Sequence, residues 1–265
     1  MKNKWTITPY LAWMAVFIIV PLGMVAYYAF TPDGKFSFDA FLDITIYAPV
    51  FMKSLYLAFI ATVISLVLAY PLAYMMSRSS ALVQKTMMML IMLPMWMNFL
   101  LRIYAWVVLL QKDGIIENIL GFFGIETTLI YTPGAVVLGM VYNFLPYMLM
   151  PIYTVMTKID GSLIEAASDL GSGTIRIFSK VVFPLSLPGV ISGITMVFVP
   201  AASTFLVAQY LGGSKNMLIG DIIEKEFLRD YSAGSALSLV LMVFMFIFIG
   251  ITNKFGEDDM EGMLI

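Results

Sequence analysis

Six apolar runs of 20 to 25 residues constrain this chain more than any other feature of its sequence: Tyr10–Phe30, Ser54–Met76, Met87–Gln111, Gly134–Thr157, Leu185–Gln209 and Ala233–Thr252. Crossing about 30 Å of hydrocarbon takes about 20 residues of helix. Lipid offers no partner to backbone N–H and C=O groups, so such runs can cross only as helices. Arg102 is the only charged residue within them. The composition agrees: 61% of residues are hydrophobic and 12% charged, against about 45–50% and about 25% in soluble domains. The expectation is an all-α membrane protein of one domain, residues 1–265, with six transmembrane helices. The first run is too long for a signal-peptide core and has no small-residue cleavage site behind it, so it is expected to stay attached.

Orientation follows from Lys and Arg. With both termini in the cytoplasm, inner segments hold eight basic residues, Lys2 and Lys4 among them, and outer segments hold six. This places residues 158–184 in the cytoplasm. The outer segments also carry ten acids: Asp33, Asp39, Asp43, Asp113, Glu117, Glu126, Asp221, Glu224, Glu226 and Asp230. A negative mouth concentrates cations, and Asp221, Glu224 and Glu226 form its densest stretch. The acidic balance, net charge −2, argues against nucleic acid as a partner. With no cysteine or histidine, disulfides, thiolate chemistry and histidine-based metal or proton-relay sites are excluded. The acidic tail after Lys254 reads as mobile.

Prolines interrupt most runs and permit kinks. Pro200 stands apart because Ala201, Ala202, Ser203 and Thr204 follow it, which leaves room beside a freed carbonyl. Trp96, Asn98, Tyr104, Asn143, Pro200, Ser203 and Thr204 are candidate pathway residues, with aromatic faces suited to an ammonium group. Gly189 with Gly193, and Ser65 with Ala69 and Ala73, are small-residue faces for close helix packing. Arg102 either lines a path for anions or, the preferred reading, bonds carbonyls that a proline frees.

The most distinctive polar stretch is SLIEAASDLGSGTIRIFSKVVFPLSLPG, Ser162–Gly189. Ser162 and Glu165 fit a capping box, and Gly171 fits the left-handed position that ends a helix. A second short helix from Thr174 is expected to end at Pro184. The first helix is slim, with Leu163, Ala167 and Leu170 on one face. Its polar face is acidic, unlike the Lys-rich face of helices that lie on bilayers, so it suits a groove in a protein partner.

Glu165-Ala166-Ala167, then Gly171, then the hydrophobic close at Val181–Pro184 resemble the EAA loop of bacterial ABC importer permeases. The family closes with Ile-x-Leu-Pro, where this chain has Val181 and Phe183. LPMWMNFLLRIYAWVVLLQKDGIIENIL (Leu93–Leu120) and LGGSKNMLIGDIIEKEFL (Leu211–Leu228) resemble the spermidine/putrescine branch. The resemblance implies a type I importer permease bundle in the bacterial cell membrane. Glu165, Ala166, Ala167 and Gly171 would then form a coupling helix between the fourth and fifth spans. It also implies a second, homologous but different permease subunit, two copies of an ATP-binding subunit that use ATP and Mg, and an extracellular substrate-binding protein. No cofactor is expected on this chain. Some relatives carry an acid after the kinked proline of the fifth span, where Ser203 and Thr204 stand here.

No phosphate-binding G-x-x-x-x-G-K-[ST] occurs, so ATP hydrolysis needs another chain and this one is not an enzyme. Iron, sulfate and phosphonate are alternative solutes. An ion-coupled secondary transporter is the alternative mechanism; it needs intramembrane Asp, Glu or His, and the six runs have none.

Overall fold

A computed structural model describes residues 8–124 and 127–262. Lys2, Lys4, Glu126 and the side chains of Asp33 and Asp43 lie outside the described residues. Most described residues are helical, and none of them forms a strand. Helix α1 spans Thr8–Phe30, α2 Ala48–Ser77, α3 Ala81–Met92, α4 Phe99–Leu110, α5 Ile115–Phe122 and α6 Pro133–Met156. Helix α7 spans Gly161–Asp169, α8 Thr174–Ser203, α9 Ile219–Arg229 and α10 Tyr231–Gly262. Five of these (α1, α2, α6, α8 and α10) are long and apolar enough to cross a bilayer, and the bent pair built from α3 and α4–α5 supplies a sixth if it is one broken span.

Helices α2, α6 and α8 pack on one another and hold most of the buried core. Small residues set their spacing. Ser65, Ala69 and Ala73 on α2 have no exposed surface. A Cβ on Gly189 of α8 would lie 2.9 Å from the Pro151 carbonyl oxygen of α6, and one on Gly193 would lie 3.0 Å from that of Met148. Tyr70 of α2 and Ser186 of α8 share a buried hydrogen bond of 2.8 Å. Helix α1 sits outside this core, packed on α10.

Prolines explain where the structure departs from the expected runs. Pro184 does not end a short helix. Its missing N–H would have paired with the Lys180 carbonyl, and the ladder widens to π geometry over Phe178–Val182, so the segment from Thr174 continues without a break into the fifth span. The same device, Ala15–Ile19 in π geometry, precedes Pro21 in α1. The third run is not continuous. The chain tightens at Leu93–Trp96, is extended at Met97, and restarts behind Asn98, whose Oδ1 accepts the Leu100 N–H at 2.8 Å. The bend is 91°. The fifth helix ends at Ser203, six residues before the expected boundary, because Thr204 is extended. The last helix runs on to Gly262, so the acidic tail is helical that far rather than irregular.

Candidate functional site

The turn after α6 ends at Asp160, which caps α7: its Oδ1 accepts the Ser162 N–H at 3.0 Å. Donation from the Ser162 backbone, and then from its hydroxyl, holds the Asp160 carboxyl below its ordinary range. The expected capping box therefore does not form. The helix starts two residues earlier than Ser162 implies, and Glu165 is exposed with no hydrogen-bond or ion-pair partner among the described residues. The other end is as expected. Gly171 has φ +78, its N–H donates to the Ser168 carbonyl at 2.8 Å, and the Ser172 N–H donates to the Ala167 carbonyl at 3.1 Å. This pair of bonds is a Schellman motif, which glycine satisfies without a Cβ clash.

Helix α7 is thus stopped hard at both ends and lies against the start of α8. Leu163, Leu170 and Ile175 around it are 48%, 87% and 85% exposed. Together they form an exposed apolar patch at the turn between α7 and the start of α8. Ala166 and Ala167 keep the helix slim between them. Helix α8, on whose start α7 packs, is unbroken from Thr174 to Ser203 and continues into the fifth span.

The candidate pathway residues do not converge on one cavity in the chain. Trp96 (78% exposed) and Asn98 flank the break in the third span. Tyr104 of α4 packs on Tyr210, ring centres 4.9 Å apart. Asn143 is 1% exposed, inside the core; its Nδ2 donates to the Gly139 carbonyl at 2.8 Å, and its Oδ1 has no partner among the described residues. Pro200, Ser203 and Thr204 form the broken end of α8, with the Ser203 hydroxyl donating to the Val199 carbonyl at 3.0 Å. Gly220 at the start of α9 abuts this end: a Cβ there would lie 2.6 Å from the Ser203 carbonyl oxygen. Arg102 does not bond a proline-freed carbonyl. It is 8% exposed, and its Nε has no partner among the described residues.

The outer acids divide. Asp221 is 2% exposed and accepts the Leu218 N–H at 2.8 Å, so it caps α9 instead of facing solvent. Burial pushes its carboxyl up to about 6, against the opposing pull of the Leu218 N–H and Lys225. Glu226 accepts the Tyr47 hydroxyl at 2.9 Å, beside a cavity of about 310 Å³ also lined by Arg229 and Asp230. Glu224 is half-buried on the same helix. Residues that the sequence did not mark pin this outer segment. Lys53 donates to Asn216 Oδ1 at 2.8 Å, Asn216 Nδ2 donates to the Tyr131 carbonyl at 2.7 Å, and Ser54 Oγ accepts the Ile219 N–H at 2.8 Å. Lys53 and Ser54 stand at the edge of an apolar run, where polar side chains are ordinary, and Asn216 lies in the Leu211–Leu228 stretch with nothing in its own residue type to mark it.

Residues 65–255 match the family of binding-protein-dependent transport system inner membrane components. The chain belongs to this family. It is 38% identical over 263 residues to the spermidine/putrescine transport system permease protein PotB of Haemophilus influenzae, covering 93% of this chain and 91% of that one. It is 36% identical over 248 residues to PotB of Escherichia coli K12, covering 88% and 90%. Among solved structures, a bacterial alginate ABC transporter in complex with its alginate pentasaccharide-bound periplasmic protein superposes with TM-score 0.79 at 14% identity, over 94% of this chain and 91% of that one. The inward-facing MetNI methionine transporter gives 0.58 at 16% identity, over 80% and 93%. The fold is that of an ABC importer permease, and the protein is a multi-pass membrane component of a transport system, not an enzyme.

Proposed function

We propose that this chain is the membrane-spanning subunit of an ATP-driven importer of polyamines, spermidine and putrescine, in the bacterial cell membrane, with both termini in the cytoplasm. With a second, homologous but different permease subunit it forms the translocation path. An extracellular binding protein delivers the substrate. The complex holds two copies of an ATP-binding subunit that use ATP and Mg, and one of them docks on α7; this chain binds no cofactor itself. One observation carries the reading: an exposed helix, capped at both ends and joined to the fifth span by the short turn at Gly171, lies in a chain similar to polyamine permeases along nearly its whole length. The half-buried acids Glu224 and Glu226, with exposed Asp230, lie at the other end of the bundle and favour a cationic solute.

The test is uptake by the complex reconstituted in vesicles loaded with ATP, with labelled spermidine and a tenfold excess (about 1.4 kcal/mol of mass action) of putrescine or sulfate outside. Uptake that requires ATP and is reduced by putrescine but not by sulfate supports the reading. ATP-driven uptake of sulfate, with none of spermidine, contradicts it.

A further inference from the structure

The break in the third apolar run leaves backbone donors free beside a buried charge. Asn98 Oδ1 takes the Leu100 N–H and the Asn98 carbonyl takes that of Arg102. The N–H groups of Phe99 and Leu101 have no acceptor among the described residues. A helix N-terminus carries a partial positive charge, and here a full one is added. The Arg102 guanidinium carbon stands 5.4 Å from the centre of the Phe99 ring, so the side chain folds back toward the helix start. Its Nε is buried and unpartnered among the described residues.

Hydrocarbon cannot satisfy these groups, and an unpaired buried guanidinium is costly. The complement is a fixed acceptor with negative charge. A second copy of this chain offers none at that depth, because its six apolar runs contain no Asp or Glu. The exposed residues around the break, Trp96, Met97 and Leu101, are of the large apolar kind that surrounds a buried charge contact in a protein interface. We propose that the broken third span is the receiving half of a contact with the second permease subunit, in which Arg102 and the N-terminus of α4 hold one membrane-buried carboxylate of that subunit. Arg102 is then a positioning residue: it fixes how the two halves of the path meet, and it keeps the acid that faces it from trapping a passing ammonium group. The inference rests on the reading that two different permease chains pair.

The complex is purified through a tag on this chain after co-expression of all its subunits. In Arg102→Gln, recovery of the second permease subunit per copy of this chain falls about tenfold or more, while this chain's membrane abundance stays within about twofold. Arg102→Lys, which keeps the charge but loses the fork, gives an intermediate recovery. Arg102→Asp regains recovery when one intramembrane Asp or Glu of the second subunit is changed to Arg. A measurement that leaves Arg102 in place guards against variants that fail to fold. Leu101→Cys, in this chain without native cysteine, cross-links to cysteines set beside that acid in the second subunit. Undiminished recovery in Arg102→Gln, cross-linking to a second copy of this chain, or the lack of any acid in the second subunit whose reversal rescues Arg102→Asp overturns the inference. Failure of the pairing reading looks different: the wild-type complex then contains no second kind of permease chain.

Discussion

Gly189 shows how much of this fold one hydrogen atom decides. Any side chain there meets the backbone of Pro151 and Ile152, which cannot swing aside as a side chain can. Gly189→Ala should cost about 1–3 kcal/mol, read as a lower thermal midpoint in detergent, whereas Gly23→Ala, inside a helix with nothing within 4 Å, should leave the midpoint unchanged or raise it. Equal midpoints for the two variants would mean that α6 and α8 are not in contact there. Asp221 makes a different kind of prediction. Its carboxyl titrates near 6 when folded and at 3.8 ordinarily, so the folded state holds the proton more tightly. Stability from this residue is therefore full below about pH 4 and is lost as pH rises toward 6. Asp221→Asn should remove that slope, a gap on the order of 1 kcal/mol above pH 6. Midpoints of the two proteins measured from pH 4 to 7 should converge at the acid end; a constant gap would count against a buried Asp221.

At the scale of elements, the sequence told where chain could cross a membrane but not where it would break. Pro94 looks like the prolines that helices tolerate at Pro71 or Pro146. The difference is Asn98, four residues on, which offers a cap for a new helix, and a cap is visible only once the break exists. Pro184 misleads in the opposite sense, since π widening is invisible in a sequence. Helix α7 was legible because Gly171 fixes its end; its start was misplaced because Asp160 and Ser162 are both good caps, and only the turn from α6 chooses between them. The consequence is measurable. Asp160→Ala should weaken α7 by about 1 kcal/mol, while Glu165→Ala, which breaks no cap, should leave helix stability alone and act only on contact with the ATPase subunit. Hydrogen exchange at the α7 amides separates the two. Faster exchange in Glu165→Ala than in Asp160→Ala would restore the capping box.

At the scale of the whole molecule, the two ends of the bundle are built differently. Helix α6 has 24 residues, about 36 Å of rise, with Tyr131 and its pinned outer segment just before one end and α7 just after the other. Lys53, Ser54 and Asn216 tie the segment before α9 to the start of α2, and α7 stands at the other end of α6. Candidate pathway residues spread over α4, α6 and α8 fit a path completed by another chain, which no reading of one sequence could assemble. The central claim is that α7 relays ATP hydrolysis to the spans. Its most direct test is paired uptake and ATP hydrolysis by the reconstituted complex carrying Gly171→Leu, which forces a branched side chain into the left-handed turn. The account predicts normal membrane insertion and a retained ATPase subunit, with spermidine uptake and its stimulation of ATP hydrolysis both lost. Full uptake coupled to ATP in that variant would contradict it.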